Sequence, residues 1–248
     1  KKINPQNITS ISDIPFLPIS FFKTQRVACF PASNIQRTFE SSGTSGATTS
    51  KHEFDDVQFY HKTCVKTFEA FYGPLIDYEV FALLPSYIER GTSSLTSMAD
   101  HFIKLSKTDL GGFYLNDLDS LLSSIKRVLK IKRKILLIGV TFALLDFAQK
   151  FSGEDLSDII IMETGGMKGR REEMTRPEVH AELKKAFSAN SIHSEYGMTE
   201  LLSQAYSKGN GIFSTPPWMR ITLRDLNDPL NHSNTLANGA INIIDLAN

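Results

Sequence analysis

The sequence ILLIGVTFALLDFAQKF at residues 135–151 combines a short apolar run with a longer segment of helical spacing. Residues 135–140 have the length and the branched side chains of a buried strand. Thr141 follows at once, where its hydroxyl could cap a helix that we expect to reach Phe151. A strand that passes directly into a helix is the unit from which helix-covered parallel sheets are built.

The same alternation continues on both sides of this unit. Before it, residues 78–84 have the pattern of a buried strand and residues 117–131 that of an amphipathic helix. After it come a predicted strand at 159–162, a helix at 177–187 and a short strand at 191–193. The sequence therefore predicts an α/β protein with mostly parallel sheets covered by helices.

The composition is that of a globular protein without a charge bias. Hydrophobic residues make up 41% of the 248 residues, enough for a sizeable core and too many for a disordered chain. The 27 basic and 27 acidic side chains balance, so we expect no nucleic-acid partner. The most apolar window, residues 135–147, is shorter than the roughly 20 residues that a membrane span needs. Two cysteines, Cys29 and Cys64, make no disulfide framework, so we expect a cytoplasmic protein.

A loop of small residues at 41–50 is the first candidate site. Its glycines permit close backbone approach, its amides could form an anion-binding nest, and Lys51 adds a positive charge. We expect a helix to begin directly after the loop, with Phe54 on its apolar stripe, so that its N-terminus also faces the anion. The pattern predicts a phosphate loop or, equally, a flexible surface loop. It is not a Walker A motif, since position 50 is serine.

Two further motifs each follow a predicted strand. Tyr196-Gly197-Met198-Thr199-Glu200 offers a flat ring for a base and a carboxylate for a magnesium ion. Gly165 and Gly166 lie in a glycine-rich turn, and such turns contact ligands at the carboxyl edge of parallel sheets. Either motif alone could equally belong to a turn or to the core.

Taken together, in this order and at this spacing, the three motifs resemble those of the adenylate-forming superfamily. Within it the sequence is most similar to the LuxE-like acyl-protein synthetases, the fatty-acid-activating component of fatty acid reductase. The similarity is carried by residues 84–95, 163–171 and 193–200, and it extends over about residues 15–245. It implies the large N-terminal domain of the adenylate-forming fold.

The resemblance also implies roles for individual residues. The phosphates of ATP would be bound by Ser41, Ser42, Gly43, Thr44, Ser45, Gly46 and Lys51. The adenine and the α-phosphate would be bound by Gly165, Gly166, Tyr196, Gly197, Met198 and Thr199. Glu200 would hold magnesium, and Thr199, Glu200 and Lys51 would be the catalytic residues.

The activity implied is ATP- and magnesium-dependent activation of a fatty acid, or another carboxylic acid, to an acyl-adenylate for transfer to a protein thiol. An acyl- or aryl-CoA ligase is the alternative among enzymes. A non-catalytic nucleotide- or acyl-binding module that docks a reductase partner is the alternative of another class.

Several family features have no match in this sequence. Asp245 does not sit in a full ribose-binding motif, and residues 1–248 contain no match to the family's lid domain with its catalytic lysine. We therefore expect residues 1–248 to be an incomplete large domain, truncated before its lid. Cys64 lies on an apolar helical stripe, which favours a core role over an acyl-carrying one. His193 could line the pocket or be structural.

Overall fold

The computed structural model describes residues 4–41, 48–84, 91–114, 117–165, 174–228 and 238–248. The strands are β1 (Arg37–Glu40), β2 (Lys51–Phe54), β3 (Tyr78–Leu83), β4 (Gly112–Phe113), β5 (Lys134–Gly139), β6 (Ile160–Glu163), β7 (His193–Tyr196), β8 (Ala205–Ser207), β9 (Met219–Arg224) and β10 (Ala240–Asp245). The α-helices are α1 (Phe21–Thr24), α2 (Val57–Tyr72), α3 (Ser94–Lys104), α4 (Leu118–Lys130), α5 (Thr141–Lys150) and α6 (Arg176–Phe187).

The main sheet has six strands in the order β4-β3-β5-β6-β7-β8. All neighbours are parallel except β7 and β8, which run antiparallel. β3 is buried along its whole length, as expected for a strand with helices on both faces. The predicted α/β architecture with a mostly parallel, helix-covered sheet is confirmed.

Local sequence signals account for the helices that cover the sheet. Asp117 caps α4 by accepting a hydrogen bond from the Ser120 amide, and the apolar stripe of α4 is buried. Thr175 and Glu178 form a capping box at the start of α6. The ring of Phe147 on α5 lies 5.2 Å from that of Phe187 on α6. The ring contact joins α5 to α6.

The residues after the small-residue loop form a strand, not the predicted helix. β2 pairs antiparallel with β1, so residues 41–50 connect the arms of a hairpin, and α2 begins only at Val57. Phe54 is buried because the hairpin packs it against Phe39, at 5.1 Å between rings, and not because it lies on a helix. The helix N-terminus expected behind Lys51 is therefore absent at that point of the chain.

Two boundaries of the predicted units also differ. Val140 precedes α5 and Thr141 is its first residue, so the Thr141 hydroxyl does not cap the helix but donates to Glu163. The strand expected at 191–193 lies at His193–Tyr196, which places Glu195 and Tyr196 within β7 instead of in the following loop.

Asp245, at the end of β10, connects the separate two-stranded sheet of β9 and β10 to the main body. Asp245 accepts hydrogen bonds from the amides of Leu202 and Ser203, at 3.1 and 2.9 Å, and from the Ser203 hydroxyl at 2.8 Å. Trp218 donates its ring N–H to the same hydroxyl at 2.9 Å. Asp245 therefore ties the end of β10 to the segment that follows β7.

None of the helices in the described ranges has both the length and the apolar character needed to cross a membrane.

Candidate functional site

A cavity of about 140 Å³ opens at the carboxyl edge of the main sheet. Thr164, directly after β6, and residues 197–199, directly after β7, form one side. Glu40 at the end of β1, Tyr60 on α2 and residues 93–95 form the other. Ligands of open parallel sheets bind at this edge, so the cavity is the candidate site.

The cavity contains only part of the predicted site. Gly197, Met198 and Thr199 line it, whereas Ser41, Lys51, Gly165, Tyr196 and Glu200 do not. Ser42, Gly43, Thr44, Ser45, Gly46 and Gly166 lie outside the described residues.

The hairpin brings both ends of the small-residue loop to this cavity. Ser41 and Ser50 close the hairpin, with the Ser41 amide donating to the Ser50 carbonyl at 3.0 Å and the Ser50 amide to the Ser41 hydroxyl at 2.9 Å. The Lys51 amine is largely exposed and lies 3.7 Å from the carboxylate of Glu40. Since Glu40 lines the cavity, Lys51 stands next to its mouth with its charge only weakly engaged.

The glycine turn after β6 is held by Glu163. Its carboxylate accepts hydrogen bonds from the Gly165 amide and the Thr141 hydroxyl, both at 2.7 Å, and from the Ser194 hydroxyl at 3.3 Å. Gly165 has φ of +78°, a conformation that favours glycine. Burial raises the pKa of Glu163, but hydrogen bonds from His180, Thr141 and Gly165 outweigh it and hold the pKa below its usual range. Glu163 is thus a buried anion that joins the ends of three strands.

Glu200 follows Thr199 in the chain but is not part of the cavity wall. The Thr199 carbonyl accepts a hydrogen bond from His52 at 2.9 Å, and the Glu200 carbonyl accepts one from Asn248 at 3.0 Å. The Glu200 carboxylate is 7% exposed, and the described residues give it no hydrogen-bond or ion-pair partner. Burial lowers the pKa of His52, so this neighbour is neutral at pH 7 and leaves the carboxylate uncompensated.

The residues present fit a magnesium ion only together with phosphate ligands. In the described ranges, no group of three His, Cys, Asp or Glu side chains could hold a metal. Magnesium bound with a nucleotide needs one or two carboxylates, its other ligands being phosphate oxygens and water. Glu200, whose carboxylate has no partner among the described residues, could supply the one carboxylate that magnesium bound with a nucleotide needs.

The Tyr196 ring is half-buried beside the cavity. Its hydroxyl lies 3.0 Å from the sulfur of Met198, and its ring lies edge-on to Phe213 with 6.2 Å between centroids. Burial raises the pKa of Tyr196. The ring is therefore held in place next to Gly197 by side chains of two segments.

The site residues predicted from the sequence leave out several polar residues of the cavity wall, among them Glu195 and Gln204. Glu195 is only 9% exposed, and burial together with the charge of Glu163 raises its pKa to about 8. Gly197 makes room for it, because a Cβ at that position would collide with Glu195 Oε1. One sequence signal pointed here, namely an acidic residue two positions before a glycine at the end of a buried strand.

Two other candidates are structural. His193 lies outside the cavity wall, bonded to the Tyr72 hydroxyl at 3.0 Å and near Ser191 at 3.3 Å, and burial lowers its pKa to about 4. Cys64 is fully buried in the core, and burial raises the pKa of its thiol to about 12. A thiol in that state is a poor nucleophile, which agrees with the predicted core role.

A larger open groove of about 1320 Å³ runs between the N-terminal segment and β9. Ile11, residues 213–218 and Ile221 line it, and none of the predicted site residues does. The small cavity at the sheet edge is therefore the better candidate.

Neither a protein-family model nor a curated protein matches this sequence. Among solved structures, the chain is similar to the ATP-bound RpMatB-BxBclM chimera B1, with a TM-score of 0.61 and 15% identity. The likeness covers 88% of this chain and 40% of that one. It shows that the two chains share a fold.

Proposed function

We propose that this protein activates a carboxylic acid with ATP, forming an acyl-adenylate. The observation that carries the proposal is the cavity itself, where Thr164 after β6 and Gly197 to Thr199 after β7 face the end of the β1–β2 hairpin. Residues from the segments after β6 and β7, together with Glu40 beside the small-residue loop, line this one cavity, which supports the proposal. The shared fold with an ATP-bound protein supports a nucleotide site there.

In the proposed reaction a carboxylate oxygen of the acid attacks the α-phosphorus of ATP. A bond forms between this oxygen and the α-phosphorus. The bond from the α-phosphorus to the oxygen that bridges to the β-phosphate breaks, and pyrophosphate leaves. No general base is needed, since the acid is already ionised at pH 7. Negative charge grows on the phosphoryl oxygens, so groups placed to stabilise that charge accelerate the step.

Several residues of the chain would contribute to this reaction. Thr199 would donate to the α-phosphate from the cavity wall, and Lys51 would exchange its weak pairing with Glu40 for the phosphates. Glu200 would hold magnesium, which supplies positive charge to the phosphates when bound. Gly165 and Tyr196 would enclose the adenine, with Glu163 fixing the glycine turn.

The sequence resemblance favours a fatty acid as the substrate and a protein thiol as the acceptor, in a reducing cytoplasm with a fatty acid reductase as partner. Thiol attack on the acyl carbon would then release AMP. Transfer to free CoA is the alternative acceptor reaction. We further propose that residues 1–248 form the large domain of the enzyme; the chain spans 40% of the length of the similar structure.

Isotope exchange between pyrophosphate and ATP in the complete protein tests the first step. Octanoate and longer fatty acids should promote exchange with magnesium present, and Glu200→Gln should reduce it about 100-fold with the fold intact. Glu154→Gln is the matched control, because it removes only the charge of an exposed ion pair with Lys126. This variant should catalyse pyrophosphate exchange at the wild-type rate. ATP binding without exchange for any acid would favour the binding module, and thioester formed with free CoA would favour the CoA ligase.

A further inference from the structure

Glu195 is a buried acid that has no partner among the described residues. It is 9% exposed, its side chain lines the cavity, and no hydrogen bond or ion pair to its carboxyl is formed within the described part of the chain. Acids buried to this degree are normally paired. A polar group that is left without a partner at the wall of a binding cavity is available to a ligand.

Within the described ranges, the groups that surround Glu195 are acidic or neutral. The charged and titratable groups that face it are Glu163 on β6, Tyr60 and Cys64 on α2, Tyr206 on β8, Tyr196 on its own strand, and Glu40 across the cavity. None of the described residues that line the cavity is basic. Lys51, which lies beside the cavity, has Glu40 as its ion-pair partner at 3.7 Å.

An anionic substrate cannot share this cavity with an ionised Glu195. Two negative charges in contact within a poorly solvated cavity repel each other strongly. A protonated carboxyl removes that repulsion and adds a hydrogen-bond donor. The raised pKa of Glu195, about 8, agrees with a proton held at neutral pH.

We propose that Glu195 is a substrate-binding residue whose protonated carboxyl donates a hydrogen bond to the carboxylate of the acid. This inference rests on the proposed function. Gly197 contributes by leaving the space that the carboxyl occupies against the backbone of the cavity wall. The proton stays on Glu195 throughout, so the residue binds and orients the acid without taking part in bond breaking.

The test compares Glu195→Gln and Glu195→Ala with the wild type in the complete protein, using ATP, magnesium and octanoate. Wild-type KM for octanoate should rise above about pH 8, where Glu195 ionises, while KM for ATP stays flat. Glu195→Gln keeps a neutral donor, so its KM for octanoate should be independent of pH. Glu195→Ala lacks the donor and should raise that KM about 10-fold or more, with kcat changed much less.

Glu79→Gln is the matched control, because Glu79 is buried in β3 but lies outside the cavity wall. It should lower the melting temperature and leave the pH dependence of the octanoate KM as in the wild type. The assignment is overturned if the KM of Glu195→Gln for octanoate still rises at alkaline pH, or if the KM of Glu195→Ala for octanoate equals that of the wild type. If the wild type itself shows no exchange with any acid, the proposed function fails.

A second measurement needs no turnover. The infrared band of a protonated carboxyl should be present in the wild type at pH 7, absent in Glu195→Gln, and lost in the wild type above about pH 8. Its absence at pH 7 would show that Glu195 is ionised and would also overturn the assignment.

Discussion

At the scale of single residues, Gly197 and Glu195 form one unit. The motif suggests that glycine serves backbone approach to a nucleotide, but the structure gives a simpler reason for it. A methyl group on Gly197 would occupy the position of Glu195 Oε1. The glycine and the acid two residues before it are therefore coupled through space.

Gly197→Ala should destabilise the protein by about 1–3 kcal/mol, as expected for an overpacked site. In a Glu195→Ala background the same change should cost much less, because the collision is removed. Urea unfolding of the four proteins gives the coupling energy, and a coupling near zero would contradict this packing. Gly112→Ala is the control, since its Cβ would have Tyr114 as nearest neighbour at 3.9 Å.

Glu195 should also make stability depend on pH. Its folded pKa of about 8 lies above the ordinary 4.5, so the native state keeps a proton that the unfolded chain loses. Unfolding free energy then falls as pH rises through that interval, by up to about 1.4 kcal/mol per pH unit. Glu195→Gln should not show this decline, and its advantage over the wild type should grow from about pH 5 to about pH 8. Denaturant titrations measure the unfolding free energy of both proteins at each pH. If the two values change with pH in parallel, the pKa of Glu195 is not raised.

At the scale of elements, the hydrophobic period predicted the strands and helices from β3 to β7, since each is long enough to show a pattern. β4 and β8 have two and three residues, too few for any period. β2 was misread as the start of a helix because Phe54, Val57 and Tyr60 happen to fall at helical steps. Only tertiary pairing with β1 assigns those residues correctly.

The candidate site could be predicted in part, because some of its residues directly follow strands that the sequence pattern reveals. Its loops follow strand ends, which the sequence marks, so Gly197, Met198 and Thr199 were found. Gln204 was not, because it enters the cavity from the segment that returns to β8, and nothing local shows where that segment folds back.

The ends of β5, β6 and β7 meet at Glu163, and Thr141 is the donor from the start of α5. Thr141→Val keeps the shape but removes the hydroxyl, so it should cost about 1–3 kcal/mol. It should also speed hydrogen exchange of the Gly165 amide, which shares the same carboxylate oxygen. Thr141→Ser restores the donor and should behave nearly as the wild type. Equal effects of the two substitutions would rule out the hydrogen bond as the cause.

At the scale of the whole molecule, Asp245 fastens the β9–β10 sheet to the main body. The sequence showed this aspartate without a convincing ligand motif, and the structure gives it backbone and hydroxyl donors from Leu202 and Ser203. Its carboxylate is therefore occupied by the fold. The residues that it fixes lie directly after the Tyr-Gly-Met-Thr-Glu motif, so the small sheet and the cavity are mechanically joined.

Asp245→Ala should destabilise the protein by about 1.5–3 kcal/mol, the usual worth of hydrogen bonds to a charged group. Amides of β9 and β10 should exchange faster than those of β5. Asp225→Ala, which loses only exposed turn contacts to Asn227 and Asp228, is the control and should change exchange locally. Uniform acceleration across the whole chain would mean that the two parts unfold as one unit.

The strand order has a consequence for how the protein is made. On one side of β3 the sheet continues in chain order, with β5 beside β3 and then β6, β7 and β8 each beside the strand before it. β4 alone pairs with the opposite side of β3. A ribosome that delivers the chain from its N-terminus therefore supplies each strand when its neighbour is already in place. Growth at one edge avoids waiting for distant partners, which slows the folding of parallel sheets. The candidate cavity, walled by the turns after β6 and β7, closes only after both of these strands have been made.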